Sequence, residues 1–199
     1  MALGLVLTLI LSLCGFTWGF AKNCDEIRQK VVRLHVLANS DSEEDQALKL
    51  KVRDRVLQTA HDLGLGEGCA DIDSLQAQAQ RMLPELLDAA QEELARNGSD
   101  DAVTACITTM YFDTREYEGF TMPAGEDRAV RFVIGEGRGH NWWCVLFPQM
   151  CLPVAFEEGL GGLGFTTQEL RVLTARPQYE PRFALLEWFY EATGQNDRA

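Results

Sequence analysis

A chain of 199 residues with 46% hydrophobic side chains is long enough to bury a sizeable core. Its formal net charge of −12 leaves no basic patch for a nucleic-acid backbone, and it disfavours adhesion to an anionic membrane surface. An acidic globular protein remains.

No charged side chain occurs in the chain before Lys22. Leu3 to Leu13 form an apolar run, and Gly19-Phe20-Ala21 places small residues at −3 and −1 of a cut after Ala21. The stretch 1–21 therefore reads as a secretory signal peptide or, if retained, an N-terminal anchor. Residues 22–199 are then expected to form a single domain. Export permits disulfides. Cys144 and Cys151 flank Phe147-Pro148-Gln149, where a turn brings them together, and a bridge between them is expected. Cys24, Cys69 and Cys106 are left, so at least one thiol is free or pairs with another chain. No Cys-x-x-Cys and no His/Cys spacing suggests zinc, so no metal and no cofactor is expected.

Val32, Leu34 and Val36 alternate with Arg33 and His35, the period of a half-buried strand. Asn39-Ser40-Asp41 breaks it. Ser42 is an N-cap for a helix over about 43–62, with Glu43 and Glu44 at its positive end and Gly64 closing it. In that helix Leu48, Val52, Val56, Ala60 and Leu63 make one apolar row. Asp45, Lys49 and Arg53 fall on or between the apolar rows, which predicts that Lys49 and Arg53 are at least half covered. Asp73-Ser74 opens a second helix ending at Asn97-Gly98, with Pro84 expected to kink or split it.

Val103 to Phe112 alternates as a second strand, and residues 113–127 read as loop. Val130, Phe132 and Ile134 make a third strand, joined by a glycine-rich turn to Trp142–Phe147, and those two runs are expected to pair as a hairpin. A weak helix over 168–174 and an aromatic C-terminal helix over 183–190 follow. The order β-α-α-β-β-β-α predicts an α+β two-layer domain with a mostly antiparallel sheet and the helices packed on one face. Arg33, His35 and Arg131 would lie on the face away from the helices.

The run Arg33-x-His35 through Asn39-Ser40-Asp41-Ser42, Asp45-Gln46 and Leu48-Lys49-Leu50-Lys51-Val52-Arg53-Asp54 resembles the signature of the stage II sporulation protein R family. Pro123-Ala124-Gly125-Glu126 and Gly135 to Pro148, which contains His140-Asn141-Trp142-Trp143-Cys144, look like further blocks of that family. The resemblance spans about residues 31–155. It implies an exported signal, acting in the space between the forespore and mother-cell membranes. Its implied partner is a membrane-embedded aspartic-type protease of the mother cell, which matures the precursor of an early mother-cell sigma factor. No nucleic acid and no small-molecule substrate are implied.

The matched blocks supply the expected contact residues: Arg33, His35, Asn39, Asp41, Asp45, Lys49, Arg53, Arg131, Asn141, Trp142 and Trp143. Trp142-Trp143 points one indole to each face of its strand, so either both faces are covered or one meets a partner. The alternative from a different class is an exported hydrolase using Cys144 as nucleophile and His140 as base. Against it, a cysteine inside Trp-Trp-Cys-Val-Leu-Phe suits a buried position better than a reactive one. Gly135-x-Gly137-x-Gly139 precedes a strand and not a helix, so it lacks the helix N-terminus of a phosphate-binding loop. Asp113-Thr114-Arg115 lacks the glycine of an aspartic-protease motif.

Overall fold

The alternation that marks Val32–Leu37 as a strand places it at the centre of a four-stranded sheet, and every residue of it is buried. The computed structural model describes residues 4, 8, 18–117, 119–148, 160–175 and 181–192. The chain forms two compact units, one of residues 30–110 and 127–159, the other of 1–29, 111–126 and 160–199.

In the first unit, β1 (Val32–Leu37) leads to α2 (Glu43–Asp62) and α3 (Ile72–Arg96); β2 (Val103–Phe112), β5 (Gly125–Ile134) and β6 (Asn141–Phe147) complete the sheet. Ser42 caps α2 as expected, its hydroxyl accepting from the Asp45 N–H at 3.1 Å. Gly64, at φ +70°, closes the far end, where no side chain is tolerated without strain. Asp71 and Ser74 form a reciprocal capping box at the start of α3. Pro84 does not split α3: one helix runs through it, and Pro84 lies on its exposed side. The carbonyl that loses its partner there can be hydrated, while Ala79, Leu86, Ala90 and Leu94 hold the helix to the core. That core joins Val32, Leu34 and Val36 to Val52, Val56 and Ala60 of α2, to the inner face of α3, and to Val130, Phe132, Cys144 and Leu146.

The fold is α+β, with a mixed sheet in the order β2-β5-β1-β6. β1 runs parallel to β5, with Arg33 opposite Ala129 and His35 opposite Arg131, and antiparallel to β6, with His35 opposite Trp143. β5 and β6 are therefore not a hairpin. The glycine-rich connection between them crosses the end of β1, which separates the two strands. Alternation alone could not reveal this, because β1 enters from the other end of the sequence.

In the second unit, residues 18–28 form a helix, α1. The stretch expected to be loop contains a small hairpin, β3 (Arg115–Tyr117) and β4 (Phe120–Met122). β5 begins earlier than its apolar residues suggest, at Gly125. A 3-10 turn (Leu160–Leu163) precedes α4 (Thr167–Leu173), which is capped by Thr166 and Glu169, and α5 is Pro181–Ala192. Among the described residues no helix is long and apolar enough to cross a membrane. Phe20, beside the expected cleavage point, is buried and packs edge-on against Phe183 with ring centroids 5.1 Å apart.

Candidate functional site

The polar turn that ends β1 and the glycine-rich crossover from β5 to β6 meet and interlock. Asn39 holds both sides: its Oδ1 accepts the Glu136 N–H at 2.9 Å, and its Nδ2 donates to Asp45 Oδ2 at 3.2 Å. The backbone N–H groups of Arg138 and Gly139 donate to the carbonyls of Asn39 and Ala38, each at 3.0 Å. Ser40 Oγ donates to the same Asp45 oxygen at 2.6 Å, and Gln46 Nε2 donates to the Ser40 carbonyl at 2.9 Å. At the outer end the His140 N–H donates to Asp41 Oδ1 at 2.6 Å, and the His140 ring Nδ1 also meets that oxygen. These bonds hold the Asp41 carboxyl below the usual carboxylate range; the backbone donation is the main cause, and the charge of Lys49 adds to it.

Two glycines are required by contact here. A Cβ on Gly139 would lie 2.1 Å from the Ser40 carbonyl oxygen, and one on Gly135 would lie 2.3 Å from Asn39 Oδ1. The glycines thus serve close backbone approach between two distant segments rather than a free-standing turn. The third matched block has a similar logic in the other unit. Arg28 Nη1 donates to the Ala124 carbonyl at 2.8 Å, and a Cβ on Gly125 would stand 2.6 Å from that guanidinium.

Lys49 lies buried under the crossover and donates to the His140 carbonyl at 2.9 Å and to the side chain of Gln46. Burial pushes its pKa down and the Arg53 charge adds to that, while Asp41 opposes it. Arg53 is 18% exposed at its side chain, pairs with Asp54, and sits over the Trp142 ring at 4.4 Å from the centroid. Both basic residues are therefore covered as their place on the helix predicted. The pairing differs from a simple i,i+4 ladder, since Asp45 is taken by Ser40 and Asn39.

Arg33 and His35 do point away from α2 and α3, but that face is covered at both positions. Arg33 is 0% and His35 1% exposed, so the expectation that they present an open contact surface is corrected. Arg33 Nη1 donates to Asp127 Oδ2 at 2.9 Å, with both side chains fully buried, and its Nε donates to the Cys144 carbonyl at 3.1 Å. His35 stacks on Trp143 at 3.9 Å between centroids and 7° between planes. Neither of its ring nitrogens has a hydrogen-bond partner. Burial lowers its pKa to about 4, and the Arg131 charge lowers it further; the Asn141 side chain acts in the opposite sense. The ring is neutral at pH 7.

The open part of the site is its rim. Asp41, His140 and Asn141 are exposed, and Arg131, Trp142 and Trp143 are partly so. The structure brings Asn39, Asp41, Asp45 and Lys49 into one network with His140, which sequence reasoning had considered only as a catalytic base. It also supplies Asp127, which that reasoning missed. The signal was available: Asp127, Ala129 and Arg131 alternate along β5 on the side that Arg33 and His35 take along β1. Cys144 is 0% exposed and belongs to the hydrophobic core, whereas the His140 side chain is 79% exposed and bound to Asp41. The pair needed for a cysteine hydrolase is not assembled. Cys24, Cys69 and Cys106 carry free thiols. Cys151 lies outside the described residues, and so does the bridge expected between it and Cys144.

Residues 28–156 match the family model described as stage II sporulation protein R. The protein named stage II sporulation protein R from Bacillus subtilis (strain 168) is 36% identical over 129 residues, which cover 63% of this chain and 55% of that relative. The match thus spans about half the relative's length. No solved structure matches. The matched region holds both halves of the interlocked turn and crossover, the buried Arg33–Asp127 pair and the Arg28–Gly125 contact, and over that region the chain belongs to the stage II sporulation protein R family.

Proposed function

We propose that the chain is an exported, non-enzymatic signal of sporulation that acts between the forespore and mother-cell membranes. It binds and activates a membrane-embedded aspartic-type protease of the mother cell, which then matures an early mother-cell sigma-factor precursor. The observation that carries the non-enzymatic part is the separation of Cys144, sealed in the core, from His140, held at the surface by Asp41. A thiolate nucleophile needs access and a base within hydrogen-bond reach, and neither condition is met. What the site offers instead is a fixed polar turn with partly open aromatic and basic side chains around it, a composition suited to protein recognition.

With Arg33, His35 and Lys49 buried, the contact surface is assigned to the rim: Asp41, Asn141, Trp142, Trp143, Arg131 and Arg53, with His140 added. Arg33, His35, Asn39, Asp45 and Lys49 set the shape of that rim. The test reconstitutes the purified chain with membranes bearing the protease and follows cleavage of the precursor. Cleavage is expected only when both are present, and it should survive thiol blocking of this chain. Precursor cleavage by the chain in membranes lacking the protease would overturn the signalling reading. Asn141→Ala and Asp41→Ala should leave a folded chain with reduced activation; full activation by both would move the contact surface elsewhere.

A further inference from the structure

The C-terminal helix lies outside the family-matched residues and has two faces of different character. Phe183 and Glu187, four apart, turn inward. Phe183 is 2% exposed against Phe20, and Glu187 Oε1 accepts the Thr114 N–H at 3.1 Å. These two contacts fix the rotation of α5 about its axis. Leu185 and Trp188, three apart, therefore share the outward face, and they are 49% and 65% exposed. An exposed Leu and Trp so arranged need an occupant.

The N-terminal segment indicates which. Residues 2–17 carry no charge, and they run directly into α1, whose Trp18 is 77% exposed. Phe20, two residues further on, is the one packed on Phe183 of α5. Wherever residues 2–17 enter a bilayer, that contact holds α5 within a few residues of the entry point. Trp is favoured at the boundary between headgroups and acyl chains, where its ring is apolar and its N–H stays wet. With a net charge of −12 the attachment cannot depend on anionic lipid, so apolar insertion has to supply it.

We propose that the Leu185–Trp188 face of α5 docks into the surface of a lipid bilayer, beside the point at which residues 2–17 enter it. The proposal rests on the reading of residues 1–21 as a retained anchor. Two tryptophans report on the two parts separately, Trp18 on the anchor and Trp188 on the docked face.

The experiment reconstitutes the full chain into phosphatidylcholine vesicles with brominated acyl chains, and compares tryptophan quenching with that in unbrominated vesicles. Wild type is expected to show quenching from both residues, and Trp188→Phe should lower the quenched amplitude by about half, as removal of one of two interfacial indoles requires. Leu185→Asp, which retains all the tryptophans, should reduce the Trp188 component by placing a carboxylate among the acyl chains. If Trp18→Phe abolishes quenching while Trp188→Phe leaves it unchanged, the anchor stands and the docked face is refuted. If the chain fails to float with the vesicles and no tryptophan is quenched, the anchor reading falls, and the proposal with it. Cross-linking of α5 to a second copy, with Trp188 unquenched, would assign the face to self-association and refute the proposal equally.

Discussion

Removing the carboxylate of Asp127 should be the most damaging single change in the sheet unit. Arg33 and Asp127 are both 0% exposed at their side chains, with 2.9 Å between Nη1 and Oδ2. A guanidinium cannot escape by losing its proton, so Asp127→Ala leaves a full positive charge inside the protein. Its bond from Nε to the Cys144 carbonyl survives and offsets only part of that cost. Breaking one side of a buried pair costs roughly 3–5 kcal/mol, a large fraction of the about 5–15 kcal/mol that holds a typical domain folded. In a chain of this size that corresponds to a melting temperature lower by very roughly 6–20 °C. Urea unfolding followed by tryptophan fluorescence measures the loss directly. The double change Arg33→Met/Asp127→Leu should recover most of it, because the cost lies in the unpaired charge and not in an irreplaceable attraction. A loss below about 1 kcal/mol in Asp127→Ala would refute the reasoning, since it would mean that water or another group already neutralises Arg33.

Three further outcomes are expected. His35 has a folded pKa of about 4, below the ordinary 6.5, so the unfolded chain binds the proton first. Stability should then fall as pH drops from about 6.5 towards 4, by on the order of 3 kcal/mol, and His35→Phe, which keeps a ring against Trp143, should flatten that part of the pH profile of the urea midpoint. Gly139→Ala forces a methyl into the Ser40 carbonyl, so it should lower the urea midpoint by the equivalent of at least about 1–3 kcal/mol, whereas Gly68→Ala, with no atom near its Cβ, should lose only the smaller cost of its positive φ. Non-reducing peptide mapping after denaturing alkylation should recover Cys144 linked to Cys151, a short loop whose closure contributes roughly 2–3 kcal/mol on the chain-entropy model; full alkylation of both thiols would exclude the bridge.

Much of the architecture was legible because it is written in local chemistry. Ser42 and Gly64 bracket α2 where their capping roles placed them, and the period-2 runs of β1, β2 and β6 stand nearly at their expected limits. Local signals failed where the outcome depends on a distant segment. Gly135 to Gly139 between two strands looks like a hairpin turn until β1 is known to lie between those strands. Alternation told which side Arg33 and His35 take, but not that this side is covered. β3 and β4 have three residues each, too few to show a period. Pro84 was misjudged because its effect depends on whether its helix face is wet. The matched blocks gave the right residues for the site but not the division between those that build it and those that show at its surface.

The position of β1 has a consequence for how the chain comes to be folded. β1 is made early, yet both its neighbours, β5 and β6, lie roughly a hundred residues downstream. As the chain emerges from its N-terminus, α2 and α3 can collapse on each other through local contacts, but β1 has nothing to pair with until the Gly-rich crossover has appeared. Closure of the sheet is therefore a late, non-local step. A chain made this way stays loose along most of its length until synthesis or translocation is nearly complete, and a truncation anywhere before β6 should leave the first strand with an open edge.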